Sequence, residues 1–278
     1  MSGSGATQLP AEFFQQPGVT GMVHLAALPG ANSCSQSLAA TIRQACRDAR
    51  ALESGGAVAV IVENFFDGPF ARRRVPRHTL AGMTLAAAAV RRAVQLPMGL
   101  NVLRNDARSA IAIAHLCGGA FVRINVFVGA AVTDQGILQG AARSAVAYRS
   151  RLGANVQLWA DVDVKHGATL GTYPVERAAA DAAGRGGAAA IIVSGSTTGQ
   201  PADAGEVRRV AQALPGTPVL VGSGASVERV GEYLPHAAGF IVGTSLKRNG
   251  DVSAPIDADR VRALVRALRH GPDVHATS

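Results

Sequence analysis

Eight short apolar runs recur along this chain at regular intervals, and Ala-, Arg- and Leu-rich stretches of helical spacing separate them. The runs are Gly18–Leu25, Ala57–Glu63, Met98–Leu103, Ala120–Val126, Val156–Asp163, Ala188–Ser194, Pro218–Gly222 and Gly239–Gly243. They are too short for helices and rich in branched residues, so they read as buried strands. Helical periodicity fills Gln36–Ser54, Thr79–Gln95 and Gly136–Arg151, and a last helix is expected at about Asp257–Arg269. Gly55-Gly56, Gly118-Gly119 and Gly186-Gly187 stand where helices must end before a strand begins. Regular β-α alternation implies a parallel sheet. Eight units predict a closed (βα)8 barrel. The competing open, doubly wound sheet would put GxGxxG after a strand, and none occurs. No linker interrupts the pattern, so residues 18–270 read as one barrel between flexible tails at 1–17 and 271–278.

The composition suits such a barrel. Over 278 residues the chain is 48% hydrophobic and 17% charged, with only 4% aromatics. Its core must therefore be built from Ala, Val, Leu and Ile. Three scattered cysteines, Cys34, Cys46 and Cys117, make neither a disulfide framework nor a metal pattern. No basic, apolar leader opens the chain, and no apolar run nears the ~18 residues of a membrane span. A cytoplasmic protein without membrane insertion is expected. The net charge of +8 could attract nucleic acid. However, the arginines are scattered, apart from Arg72-Arg73-Arg74, and no nucleic-acid module is recognisable. Small anionic substrates are the better match.

Barrels of this kind work at the C-terminal ends of their strands, and polar residues collect there. Strand alternation puts Trp159, Asp161, Asp163 and Lys165 on one face and Leu158, Ala160, Val162 and Val164 on the other. The apolar set suits the helices, which turns the carboxylates and the lysine inward. The same reading sends Phe121, Arg123 and Asn125 inward from the fourth strand. His24, Glu63, Asn64, Asn101, Arg104 and Asp106 arrive from the first three. Charge inside a barrel is costly unless paired or used. Asp161, Asp163, Lys165, His166, Glu63 and Asp106 are thus the candidate catalytic groups. His24, Asn64, Asn101, Arg104, Arg123, Asn125 and Thr198 are the candidate substrate contacts.

The seventh strand ends Gly222-Ser223-Gly224 and the eighth ends Gly243-Thr244-Ser245. Glycine lets backbone N–H groups approach an anion closely, and barrels often seat a phosphate after these two strands. These six residues, with Lys247, form the expected phosphate site. A leucine at position 224 is expected to block it without harming the fold.

The chain has 25 arginines and two lysines, Lys165 and Lys247. A lysine amine can act as acid, base or nucleophile where a guanidinium cannot. Two neighbouring carboxylates would keep Lys165 protonated, favouring acid or electrostatic work. Glu63, Asp67, Asp161 and Asp163 would suit Mg²⁺ as hard oxygen ligands, but no spacing rule demands a metal and no cofactor is predicted. His78, His115, His236 and His270 read as structural.

The sequence resembles the BtpA/SgcQ family from about Gly21 to Arg269. The matching motifs are Gly21-Met22-Val23-His24-Leu25, Val62-Glu63-Asn64-Phe65 with Asp67-Gly68-Pro69-Phe70, and Asn101-Val102-Leu103-Arg104-Asn105-Asp106. Leu28-Pro29-Gly30, Phe121-Val122-Arg123-Ile124-Asn125, Asp161-Val162-Asp163-Val164-Lys165-His166, Gly222-Ser223-Gly224 and Ile241-Val242-Gly243-Thr244-Ser245-Leu246-Lys247 complete the set. Two mild departures are Leu25-Ala26-Ala27-Leu28, where a proline is usual, and Ser194-Gly195 in place of Thr-Gly. The resemblance implies a barrel related to ribulose-phosphate-binding enzymes. The family hands over no agreed reaction, and residues and resemblance together leave two functional expectations. One is an enzyme that acts on a phosphorylated sugar or nucleotide-like substrate by isomerase, lyase or N-glycosidase chemistry. The other is a non-catalytic accessory factor for assembling a membrane complex such as photosystem I. A homo-oligomer is compatible with either.

Overall fold

A computed structural model describes residues 8–162, 167–171, 173–195 and 197–270. Eight parallel strands close into a barrel: β1 (Gly18–His24), β2 (Ala59–Glu63), β3 (Met98–Asn101), β4 (Phe121–Ile124), β7 (Gln157–Val162), β9 (Ala190–Val193), β10 (Val219–Val221) and β11 (Gly239–Val242). The last strand pairs with the first, Gly18 opposite Gly239, which leaves the sheet no edge. The helices that return the chain between strands are α1 (Leu38–Ser54), α2 (Arg77–Ala93), α3 (Ala107–Cys117), α4 (Ala142–Arg151), α5 (Val175–Ala180), α6 (Ala204–Ala213) and α7 (Val230–Tyr233). A final helix, α8 (Ala258–His270), follows β11. Side-chain oxygens cap three of these helices: Ser37 accepts from Ala40 N, Asp106 from Ser109 N and Asp203 from Glu206 N. The expected glycine stops hold, with Gly56, Gly118 and Gly187 all at positive φ.

The period-2 pattern sorts side chains into two cores. Outside the sheet, Val60, Val62, Leu158, Ala160 and Val162 pack against the helices. Inside it, Met22, Ile61, Phe121, Trp159, Ile192, Leu220 and Ile241 fill the barrel. Phe121 and Trp159 stack with ring centroids 3.6 Å apart. Gly99 makes room for them, because a Cβ there would lie 2.2 Å from the Phe121 ring.

Two expectations need correcting. Residues from Leu9 to Phe14 are not a loose tail: Leu9, Phe13 and Phe14 pack onto the interior cluster, and both phenyl rings contact Trp159. The turn at residues 11–15 thus covers the Trp159 end of the interior cluster. Secondly, Gly136–Arg151 is not one helix. Its first part is strand β6 (Gly136–Gln139), hairpinned to β5 (Ala130–Thr133). Strand β8 (Gly167–Thr169) pairs with β5 on its other side, giving a small antiparallel sheet above the barrel. The turn Thr133-Asp134-Gln135-Gly136 explains the error. Gly136 takes φ +90°, and Thr133 Oγ1 accepts from Gln135 N. These are hairpin features that outrank weak helical spacing.

Candidate active site

Strand register brings three polar side chains to one height. His24 is paired with Glu63 across β1 and β2, and Glu63 with Asn101 across β2 and β3. Asn101 Nδ2 donates to Glu63 Oε2, and His24 Nε2 lies 3.7 Å from Glu63 Oε1. Phe65 stacks on the imidazole at 4.3 Å between centroids. Gly243 completes the setting, because a Cβ there would fall 2.9 Å from His24 Cε1. All three polar side chains are buried.

Across the barrel, Arg123 and Asp161 form a two-pronged pair, with Nε and Nη2 each donating at 2.8 Å to one carboxylate oxygen. Asn125 Nδ2 donates to the same carboxylate at 3.0 Å. Burial opposes the charge on Arg123, but the adjacent Asp161 outweighs it and the guanidinium holds its proton more tightly than usual. Arg104 behaves oppositely. Burial loosens its hold, although Asp134, Asp161 and Glu63 pull the other way. Asn125 Oδ1 is buried with no hydrogen-bond partner among the described residues. Such an acceptor is costly unless a ligand or solvent satisfies it.

Above these groups lies a cavity of about 470 Å³. His24, Glu63, Arg104, Arg123 and Asn125 line one side. The turns Gly222–Ser226 and Gly243–Ser245 line the other, with Thr198 and Pro201 across the mouth. The size and the few convergent polar groups are those of a small-molecule site. Gly222 brings the seventh-strand turn close to the charged floor, since a Cβ there would sit 2.3 Å from Ser194 Oγ and 3.4 Å from Arg123 Nη2.

Several sequence candidates lie elsewhere. Lys247 is buried and turned from the cavity, with Nζ 3.2 Å from Asp48 on α1. It pins a helix. Asp106 caps α3 and also accepts from Val75 N, which leaves its carboxylate no part in the cavity. Asn64 lies beside the site, donating to Leu103 O and accepting from Leu103 N. The hydroxyl of Ser223 accepts from Gly195 N at 2.7 Å, which ties the seventh-strand turn to the loop after the sixth. Asp161 is held by Arg123 and Asn125, which makes it a support for the guanidinium. Asp163, Lys165 and His166 lie outside the described residues. Of the carboxylates weighed for Mg²⁺, Asp161 is matched by Arg123, and Asp67 accepts from Leu28 N and Asn64 Nδ2. Burial also raises the pKa of Asp67. No group of three His, Cys, Asp or Glu suited to a metal occurs among the described residues.

Sequence reading missed Arg229, Phe65, Phe70 and Pro201 in the cavity wall. One arginine among 25 gives no signal. It also missed Asn105, at φ +74°, whose amide both donates to Val126 O and accepts from Val126 N. Asparagine tolerates that left-handed backbone better than most residues, a clue the motif did contain. Position 224 needs a further correction. Gly224 has φ +67°, and a Cβ there would lie 2.1 Å from Pro201 Cα. Leucine at 224 would disrupt the loop rather than only displace an anion.

The BtpA family matches residues 15–270. The chain belongs to the BtpA family. It is 43% identical over 253 residues to the photosystem I biogenesis protein BtpA of Synechocystis, covering 91% of this chain and 88% of that one. Among solved structures, tryptophan synthase from M. tuberculosis superposes with a TM-score of 0.57 at 18% identity, covering 96% of this chain and 99% of that one. N-(5'-phosphoribosyl)anthranilate isomerase from Pyrococcus furiosus gives 0.56 at 14% identity, covering 91% and 99%. These likenesses establish the (βα)8 barrel fold. No helix among the described residues is long and apolar enough to cross a membrane.

Proposed function

We propose that this BtpA-family chain is an enzyme that moves protons on a small phosphorylated sugar or nucleotide-like substrate. The observation that carries this reading is the layout of the 470 Å³ cavity, in which glycine turns after β10 and β11 face a buried polar set from β1 to β4. The phosphate sits against the backbone of Gly222–Gly224 and Gly243–Ser245, with Arg229 at the same wall. Arg123, held rigid by Asp161, and Asn125 engage a hydroxyl or developing oxyanion. Glu63, steered by Asn101 and His24, is the proton-transfer carboxylate among the described residues. Lys165 supplies the acid, a role that rests on the sequence alone. Isomerase, lyase and N-glycosidase steps all fit this arrangement. The phosphoribosyl group in the name of the Pyrococcus barrel enzyme agrees with a phosphosugar ligand. The name of the Synechocystis relative favours a second reading, an accessory factor in photosystem I biogenesis.

Ligand-induced stabilisation separates them. Ribose 5-phosphate is expected to raise the melting temperature where ribose does not, because a ligand that binds only the folded state stabilises it. Thr244 lines the cavity and is half-buried. Thr244→Asp puts a negative charge at the phosphate wall and is expected to remove the shift while leaving the ligand-free melt in place. Equal shifts with ribose and ribose 5-phosphate, or none with either, would overturn the phosphosugar reading.

A further inference from the structure

A second cavity, of about 350 Å³, lies on the far side of the Arg104–Asp106 segment from the first. Arg72, Arg73, Arg74 and Arg108 line it, and strand β6 of the small antiparallel sheet borders it at Ile137 and Leu138. The cavity thus joins the loop before α2, the first turn of α3 and strand β6, which are far apart in sequence.

Its lining is strongly cationic. Where acids are at hand, the arginines of this chain pair with them: Arg209 with Glu176 and Glu206, Arg229 with Glu232, and Arg262 with Asp259. None of the four arginines of the second cavity has an ion-pair partner among the described residues. Asp106 in its wall keeps its charge, but its oxygens are occupied: Oδ1 accepts from Ser109 N, and Oδ2 from Val75 N and Ser109 Oγ, so one carboxylate stands against four guanidinium groups. Arg108 is also held in place, its guanidinium 4.6 Å from the centre of the half-buried Tyr148 ring. A stacked guanidinium keeps its planar edge free for oxygen acceptors and gives up little freedom on binding.

We infer that this cavity is a second anion site, which takes a small molecule carrying two or more adjacent phosphate groups, with the rest of the ligand alongside strand β6. Four guanidinium groups in one concave space suit several neighbouring phosphoryl oxygens, because arginine–phosphate contacts are paired and charge-assisted. A lone phosphate would engage only part of the set. The site is independent of the phosphosugar reading of the first cavity.

Calorimetric titration of the full chain with inorganic tripolyphosphate, at low and at physiological salt, tests it. The wild type is expected to bind one equivalent more tightly than orthophosphate. The exposed triple variant Arg72→Ser/Arg73→Ser/Arg74→Ser is expected to lose roughly tenfold or more in affinity, the equivalent of about 1.4 kcal/mol, with its ligand-free melting temperature unchanged. Arg108→Gln is expected to weaken binding as well, and Thr244→Asp to leave it intact. Three results would overturn the site: no binding to the wild type, equal binding by the wild type and the triple variant, or loss of binding in Thr244→Asp alone. The last would place the anion in the first cavity.

Discussion

At the scale of single residues, what each polar group does here depends on whether a partner has already claimed it. Asp161 and Glu63 look equivalent as inward carboxylates at strand ends. The cation Arg123 claims the first, whereas the second accepts from the neutral Asn101 and lines the cavity. Arg123→Met leaves Asp161 buried without its cation, a defect that typically costs about 3–5 kcal/mol. Urea denaturation at neutral pH should register it, and the double change Arg123→Met/Asp161→Leu should recover much of the loss. A single variant as stable as the wild type would show that the pair holds nothing together. Lys165 follows a different logic, from the sequence's preference for arginine. Lys165→Arg keeps the charge, so an activity loss of about 10²–10⁴-fold is expected if the amine transfers a proton. Steady-state turnover of a phosphosugar that the wild type converts decides this, and full activity would remove Lys165 from the mechanism.

Among elements, pins between loops and helices carry much of the specificity. Lys247 follows the turn after β11, and its partner Asp48 sits in the middle of α1, 199 residues away in sequence. Asp48 also accepts from Ile256 N, so one carboxylate ties the first helix to the loop before the last. Lys247→Met is expected to destabilise the fold by about 3–5 kcal/mol. The double variant Lys247→Met/Asp48→Leu should recover only part of this, since the Ile256 N–H would then lack its acceptor. Chemical melts of both variants check the prediction. The folded fraction of Lys247→Met should still bind ribose 5-phosphate, because the lysine does not reach the cavity. A selective loss of phosphate binding at unchanged stability would restore Lys247 to the phosphate site.

The whole molecule is a barrel whose two ends are closed differently. The upper end opens into the polar cavity, and the lower end is sealed by Phe13 and Phe14 against Trp159, the chain's one tryptophan. Trp159 is fully buried, so its emission reports on the seal directly. Phe13→Ser/Phe14→Ser is expected to shift the emission to the red and lower the melting temperature. An unchanged spectrum would mean that the first turn does not shield the barrel in solution.

Much of this architecture was legible from local pattern. Alternation along Leu158-Trp159-Ala160-Asp161-Val162 assigned faces, because side chains on a strand point to opposite sides at every step. Eight repeats of strand and helix left closure as the simplest way to bury them all. The glycine turns after the seventh and eighth strands marked one wall of the cavity before any coordinates did. The rest needed the tertiary structure, because each missing fact joins residues that are distant in sequence. Lys247 and Lys165 look alike after their strands, and only the burial of Asp48 against the first shows it to be a fastener. Leu9, Phe13 and Phe14 carry no strand or helix signal, and their purpose appears only under the barrel they close. Gly167–Thr169 is too short to announce a strand, and it becomes one through the edge that Ala131–Thr133 offers it. A sequence determines which face a side chain presents, but not which distant group it meets there.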